Sequence, residues 1–195
     1  ENVAFGLQMR GVREAVPATH TVSAKTRLGF SDKGLHREIA QAAQAGGASW
    51  LTVHARTRDE GYKPPAHWEF IGFMREAVTI PVVANGDVWT PEDYLRMLEV
   101  SGCRHAMLGR GLLARPSLAL ECKALLSGER IESLTWKKTL PILRNFASQS
   151  ESARGERFAS SRIKQWLKSL AQTYPEAREL FAILKASLAE SETVC

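Results

Sequence analysis

Short apolar runs alternate with longer amphipathic stretches along the first two-thirds of this 195-residue chain. The pattern over 3–16 predicts a helix that Pro17 ends. A strand over 21–28 follows, then Gly29 and a candidate N-cap at Ser31. A helix over 33–45 places Leu35, Ile39, Ala42 and Ala43 on one face and stops at Gly46-Gly47. Strand 49–54 leads into a polar loop, 55–65, and a helix through Phe70, Phe73 and Ala77. Strand 80–84 leads to Thr90-Pro91, an N-cap with proline at the first helical position, and a helix ending at Ser101-Gly102. Strand 105–108 precedes Gly109-Arg110 and a helix over 116–126. Strand followed by helix, four times over, predicts a parallel sheet with right-handed crossovers.

After a linker at 127–130 the pattern is purely helical. Ile163, Trp166, Leu167 and Leu170 form one stripe, and Leu180, Ile183 and Leu184 another. A third helix is expected near 136–146. The expected organisation is an α/β body over 1–128 and a small helical bundle over 129–195.

Hydrophobic content of 44% and charged content of 24% are ordinary globular values. No apolar run approaches the roughly eighteen residues of a membrane span, and the first ten residues lack the layout of a signal peptide. Cys103, Cys122 and Cys195 are odd in number and widely spaced, which fits a reducing compartment and a cytoplasmic protein. The net charge of +5 is uneven: residues 130–195 carry eleven Lys/Arg against seven Asp/Glu. That excess fits either a polyanion partner or solvated helix faces. There is no GxGxxG, Walker A, CxxC or HExxH, so dinucleotide, nucleotide-triphosphate and zinc motifs find no support and no metal is expected.

Polar clusters recur at the downstream ends of the predicted strands, where α/β barrels place their chemistry. Ser23, Lys25 and Arg27 share one strand face. A lysine there meets a bound anion or electron-rich ring, or pairs with a neighbouring strand. His54 ends the second strand and is either a ligand contact or merely hydrogen-bonded. Asn85-Gly86-Asp87 and Gly109-Arg110-Gly111 read as Gly-rich turns whose N–H groups cradle phosphate, with Arg110 as a clamp, or as tight structural turns. The loop from Arg56 to Tyr62 is charged and aromatic, able to grip a polyanion or simply be solvated. Arg162, Lys164 and Lys168 lie off the apolar stripe of their helix, where a solvated face is the default.

Taken together, Val22–Phe30, His54-Ala55-Arg56-Thr57 with Gly61-Tyr62, Ile80–Asp87 and Met107–Gly111 resemble the tRNA-dihydrouridine synthases. Ser161–Leu167 looks like the helical domain of the bacterial subgroup acting on position 16 of the tRNA D-loop. Ala24, Ala55 and Asp87 depart from the usual valine, glycine and glutamate. The resemblance implies an FMN-dependent (β/α)8 barrel with a C-terminal helical bundle, reducing uridine to 5,6-dihydrouridine with NADPH as reductant. It implies that Lys25 and His54 face the flavin ring, and that Asn85, Gly86, Asp87, Gly109 and Arg110 hold its phosphate end. It assigns Arg27, Tyr62, Arg162, Lys164 and Lys185 to tRNA.

Eight strands close such a barrel. The four found here correspond, by the resemblance, to strands five to eight, so the expected fold is a partial (β/α)8 barrel followed by the bundle. The family's general-acid cysteine follows strand four, upstream of Glu1. Cys103 precedes its strand, Cys122 falls in the last barrel helix and Cys195 is terminal, so no catalytic residue is assigned among them. The chain is therefore expected to be truncated, to bind FMN poorly and not to reduce tRNA, and its open sheet edges invite self-association of an otherwise monomeric enzyme. Two other functions fit less well: an FMN barrel acting on a small molecule, and a non-catalytic tRNA-binding fragment.

Overall fold

A computed structural model of the chain describes residues 2–17 and 19–192. The chain divides into two compact units, 1–109 and 110–195, so the boundary expected at 128 lies inside the second unit.

The first unit runs α1 (Asn2–Ala15), β1 (Ser23–Arg27), α2 (His36–Ala45), β2 (Trp50–His54), α3 (Trp68–Glu76), β3 (Val82–Asn85), α4 (Pro91–Ser101) and β4 (His105–Met107). Its strands form one parallel sheet in the order β1-β2-β3-β4. Sequential order with crossovers of one hand puts every connecting helix on the same face. Accordingly α2 packs on β2, α3 on β3, and α4 on β3 and β4. Ala24, Leu51, Val53, Val82 and Ala84 point into that helix-covered core and are buried. The opposite face carries exposed Ser23, Lys25, Trp50, His105 and Met107. Parallel sheets ordinarily have both faces covered, so the open face distinguishes this unit.

Local chemistry sets the helix boundaries. Thr90 caps α4 in a reciprocal box: its side chain accepts from the Asp93 N–H, and Asp93 accepts from the Thr90 N–H at 2.9 Å. Gly102 ends α4 at φ +62. The expected cap at Ser31 does not form. Asp32 instead accepts from the Gly34 N–H at 2.7 Å, and this local turn delays α2 to His36.

The second unit is helical: α5 (Arg110–Ala114), α6 (Leu118–Leu126), α7 (Trp136–Arg154), α8 (Glu156–Leu170) and α9 (Pro175–Glu192). Helix α8 packs on α5, α7 and α9. Leu143, Leu167, Leu170, Tyr174 and Ala177 form the core, with Ile163, Trp166, Leu180 and Leu184 against it, whereas Ile183, expected on the second stripe, is exposed. Tyr174 reaches the segment before α7, its hydroxyl donating to the Leu134 carbonyl at 2.8 Å.

Candidate functional site

Strand register decides which of the polar residues meet. Lys25 lies beside Thr52 and Arg27 beside His54. His54 lies beside Asn85, and Asn85 beside Met107. Side chains alternate along a strand, so Lys25, Arg27, His54 and Asn85 all project from the open face. Lys25 Nζ donates to Asn85 Oδ1 at 3.3 Å, and Asn85 Nδ2 donates to the Met107 carbonyl at 2.7 Å. The partner of Lys25 is thus an amide, not a carboxylate on a neighbouring strand. Desolvation, and then the charge of Arg27, lower the Lys25 pKa, making this ammonium a readier proton donor than a solvated one.

Arg27 is committed more locally than expected. Its Nη1 donates to the Thr57 and Gly61 carbonyls at 2.8 and 2.9 Å, and the guanidinium lies 5.4 Å from the centre of the Tyr62 ring. Tyr62 stays 63% exposed, with its ring 6.0 Å from that of buried His54. Arg27 therefore pins the loop that presents Tyr62 at the sheet's downstream end. Glu60 secures the same loop: it pairs with Lys33, accepts from the Thr57 N–H at 2.7 Å and contacts His67 Nε2 at 3.1 Å. Desolvation alone would raise the Glu60 pKa, but the Lys33 and Thr57 hydrogen bonds and the nearby charges hold it down to about 2.

Gly86 makes close backbone approach possible. Its φ is +134, and an added Cβ would meet the Ala55 and Ala66 Cβ atoms at 3.3 Å. Gly86→Ala should destabilise the first unit by about 1–3 kcal/mol through backbone strain and this contact. Urea unfolding checks this, and an unchanged midpoint would contradict the crowding.

Asp87 is the non-glycine residue with positive φ, +50, among the described residues. Its carboxylate pairs with Arg56, whose side chain is fully buried. Arg56 Nε and Nη1 have no partner among the described residues. Of the loop from Arg56 to Tyr62, expected either to grip a polyanion or to be solvated, Arg56 and Thr57 do neither, since both are fully buried. Sheet-like bonding continues past His54: Ala55 donates to the Asn85 carbonyl at 2.9 Å, and the Arg56 carbonyl accepts from Leu28 at 3.0 Å. That continuation draws Arg56 inward.

The second Gly-rich turn is also revised. Gly109 ends the first unit with open space around its α-carbon. Arg110 and Gly111 are already the first residues of α5.

In the helical unit, Arg162 and Lys185 are exposed and Lys164 is half-buried. Arg162 Nη1 donates to Gln165 Oε1 at 2.7 Å. Arg162 and Lys164 are two residues apart on a helix and so point to different sides. Residues 110–195 hold fourteen Lys/Arg against nine Asp/Glu, so the whole net charge of +5 resides in this unit. Cys103 and Cys122 are buried and form no disulfide, and Cys195 lies outside the described residues. No His/Cys/Asp/Glu group suited to a metal occurs among the described residues. None of their helices is long and apolar enough to cross a membrane.

Comparison with known proteins gives a consistent picture. The dihydrouridine synthase (Dus) family matches residues 6–194. The tRNA-dihydrouridine(16) synthase of Aquipseudomonas alcaligenes is 49% identical over 174 residues, covering 89% of this chain and 55% of its own length. The Pseudomonas putida protein of that name is 47% identical, covering 91% and 55%. The one from Shewanella oneidensis is 41% identical, covering 95% and 58%. The chain thus spans about half the length of the curated relatives it matches. Among solved structures, nitroalkane oxidase from Streptomyces ansochromogenes superposes with a TM-score of 0.42 at 21% identity, over 95% of this chain and 62% of that one.

Proposed function

The chain belongs to the dihydrouridine synthase family, and on that premise we propose that it supplies the flavin-phosphate and tRNA-contacting portion of a tRNA-dihydrouridine synthase acting on position 16. The observation that carries the reading is the single open sheet face on which the register gathers Lys25, His54 and Asn85. In this reading the four strands are part of a (β/α)8 barrel and the open face is its interior, with 110–195 contributing the tRNA-binding helices.

The residues present suit FMN. Lys25, His54 and Asn85 offer an ammonium, an imidazole and an amide along one face, and Gly86 at φ +134 makes the tight turn that follows Asn85. FMN, when bound, supplies the hydride for the uracil C5–C6 bond, and NADPH replenishes it. Lys25 stabilises negative charge developing on the ring system or on a uracil oxygen, and Asn85 holds the ammonium in place. His54, buried against Tyr62, closes one side of the site to water. The N–H groups of Gly86 and Asp87 serve the phosphate end, to which Gly109 and Arg110 also belong by family resemblance. Arg27, Tyr62, Arg162, Lys164 and Lys185 serve the tRNA, Arg27 doing so by setting the Tyr62 loop. Cys103 is buried just before β4, at the upstream end of the strands, and Cys122 is buried in α6. Both thiols are buried within their own units, so neither is assigned as the general acid.

A gel shift with unmodified tRNA transcript tests the reading. The 195-residue chain should bind tRNA, and Arg162→Glu with Lys164→Glu should weaken binding at least about tenfold. With FMN and NADPH present it should form no dihydrouridine. Absence of tRNA binding would overturn the proposed substrate, while turnover by this chain alone would overturn the assignment of the proton donor elsewhere.

A further inference from the structure

Helix α8 carries a second stripe beside its core face. Arg162, Gln165, Trp166 and Ser169 follow the i, i+3, i+4, i+7 spacing and line one cavity of about 330 Å³, completed by Phe146 of α7 and Leu113 of α5. We propose that this cavity receives one unstacked nucleobase of a bound RNA strand. The inference rests on the tRNA reading above and adds a base-recognition site to it.

The lining matches a flat ligand with apolar faces and a polar edge. Phe146 and Trp166 meet edge to face, with ring centres 5.0 Å apart and planes at 82°, so neither ring lies flat against the other. The indole N–H is already given to the Leu113 carbonyl at 3.0 Å, which fixes the ring and leaves its π surface as what it offers. Arg162 and Gln165 are tied together at 2.7 Å through the glutamine oxygen, leaving the glutamine NH2 to read a base carbonyl or ring nitrogen. The Ser169 hydroxyl can donate or accept beside them. No carboxylate lines the cavity. Arg162 is the cation of the lining and can meet a phosphate beside an inserted base, whereas Arg157, Lys164 and Lys168 fall on other faces of α8. Recognition of single-stranded RNA by aromatic stacking plus edge hydrogen bonds uses this combination.

The test separates stacking from simple charge attraction. Ser169→Phe fills the cavity without touching a charge and should weaken binding of unmodified tRNA transcript about tenfold or more, with the melting temperature unchanged. Its log K against log salt slope should match wild type, whereas Arg162→Gln should flatten that slope by nearly one. An RNA octamer should quench tryptophan fluorescence in the wild type and quench it less in Trp166→Phe. Wild-type tRNA affinity in Ser169→Phe would overturn the pocket. So would a lowered melting temperature or altered oligomeric state with tRNA affinity intact, because protein then covers the cavity. Tighter occupancy by free AMP or NADPH than by the octamer would also overturn the RNA assignment. Should the wild type ignore tRNA yet show octamer quenching lost in Trp166→Phe, the pocket stands and the synthase reading falls.

Discussion

Asp87→Asn should lower the stability of the α/β unit by about 3–5 kcal/mol, a loss large enough to threaten folding at ordinary temperatures. The reason is the partner it deserts. Arg56 is fully buried, and the Asp87 carboxylate is its ion-pair partner among the described residues. A guanidinium in low dielectric without its counter-charge bears its desolvation penalty almost alone. Arg56→Met removes the buried charge but strands Asp87, so it too should destabilise, though less because Asp87 keeps 15% exposure to water. The two substitutions together should recover most of the loss, since a neutral pair of similar volume replaces the ionic one. Urea unfolding of the four proteins of this double-mutant cycle measures the coupling. Additive losses, or single variants within 0.5 kcal/mol of wild type, would show that the pair does not sustain the fold.

Glu121→Ala should cost about 3 kcal/mol in the helical unit. Glu121 is 4% exposed in α6 and gathers Arg115, Ser117 and Ser133. Ser117 in turn accepts from the Leu134 N–H at 3.0 Å. The carboxylate therefore holds the connection between α6 and α7, a stretch with no secondary structure of its own. Arg115 is 25% exposed and can turn toward water in the variant, which keeps the loss at the lower end of the range. Burial would raise the Glu121 pKa, but the Ser117, Arg115 and Ser133 hydrogen bonds and the Arg115 charge more than reverse it. A carboxylate whose folded pKa is depressed stabilises fully above its unfolded pKa, near 4.5. That contribution disappears as the pH falls through 4.5 and past the folded value. Stability of the wild type should thus decline below pH 4.5 more steeply than that of Glu121→Ala. Parallel pH profiles would show that the network is not held by charge.

What the sequence disclosed depended on the range of the physics involved. The Thr90 cap was legible because its partner, Asp93, is three residues away. The face shared by Ser23, Lys25 and Arg27 was legible because strand alternation is a short-range pattern, whereas only the register brings His54 and Asn85 to it. Helix α5 escaped notice, as five residues between Gly109 and Pro116 hold too little periodicity to reveal a helix. Helix α7 runs on to Arg154 through a mostly polar stretch that carries no apolar stripe. The burial of Arg56 had no local signal at all. Its partner lies 31 residues away, and only the β2–β3 register brings the two together. The cavity on α8 was hidden for a different reason: Trp166 served the core stripe and the second stripe at once.

Among the described residues each compact unit contains one buried cysteine outside any disulfide, Cys103 in the first and Cys122 in the second. Once Cys195 is replaced by serine, alkylation of these sulfurs can occur only when their own unit opens. The protein thus carries two internal clocks, and mass spectrometry of the labelled peptides would time the opening of the α/β unit and of the helical unit separately in a single sample.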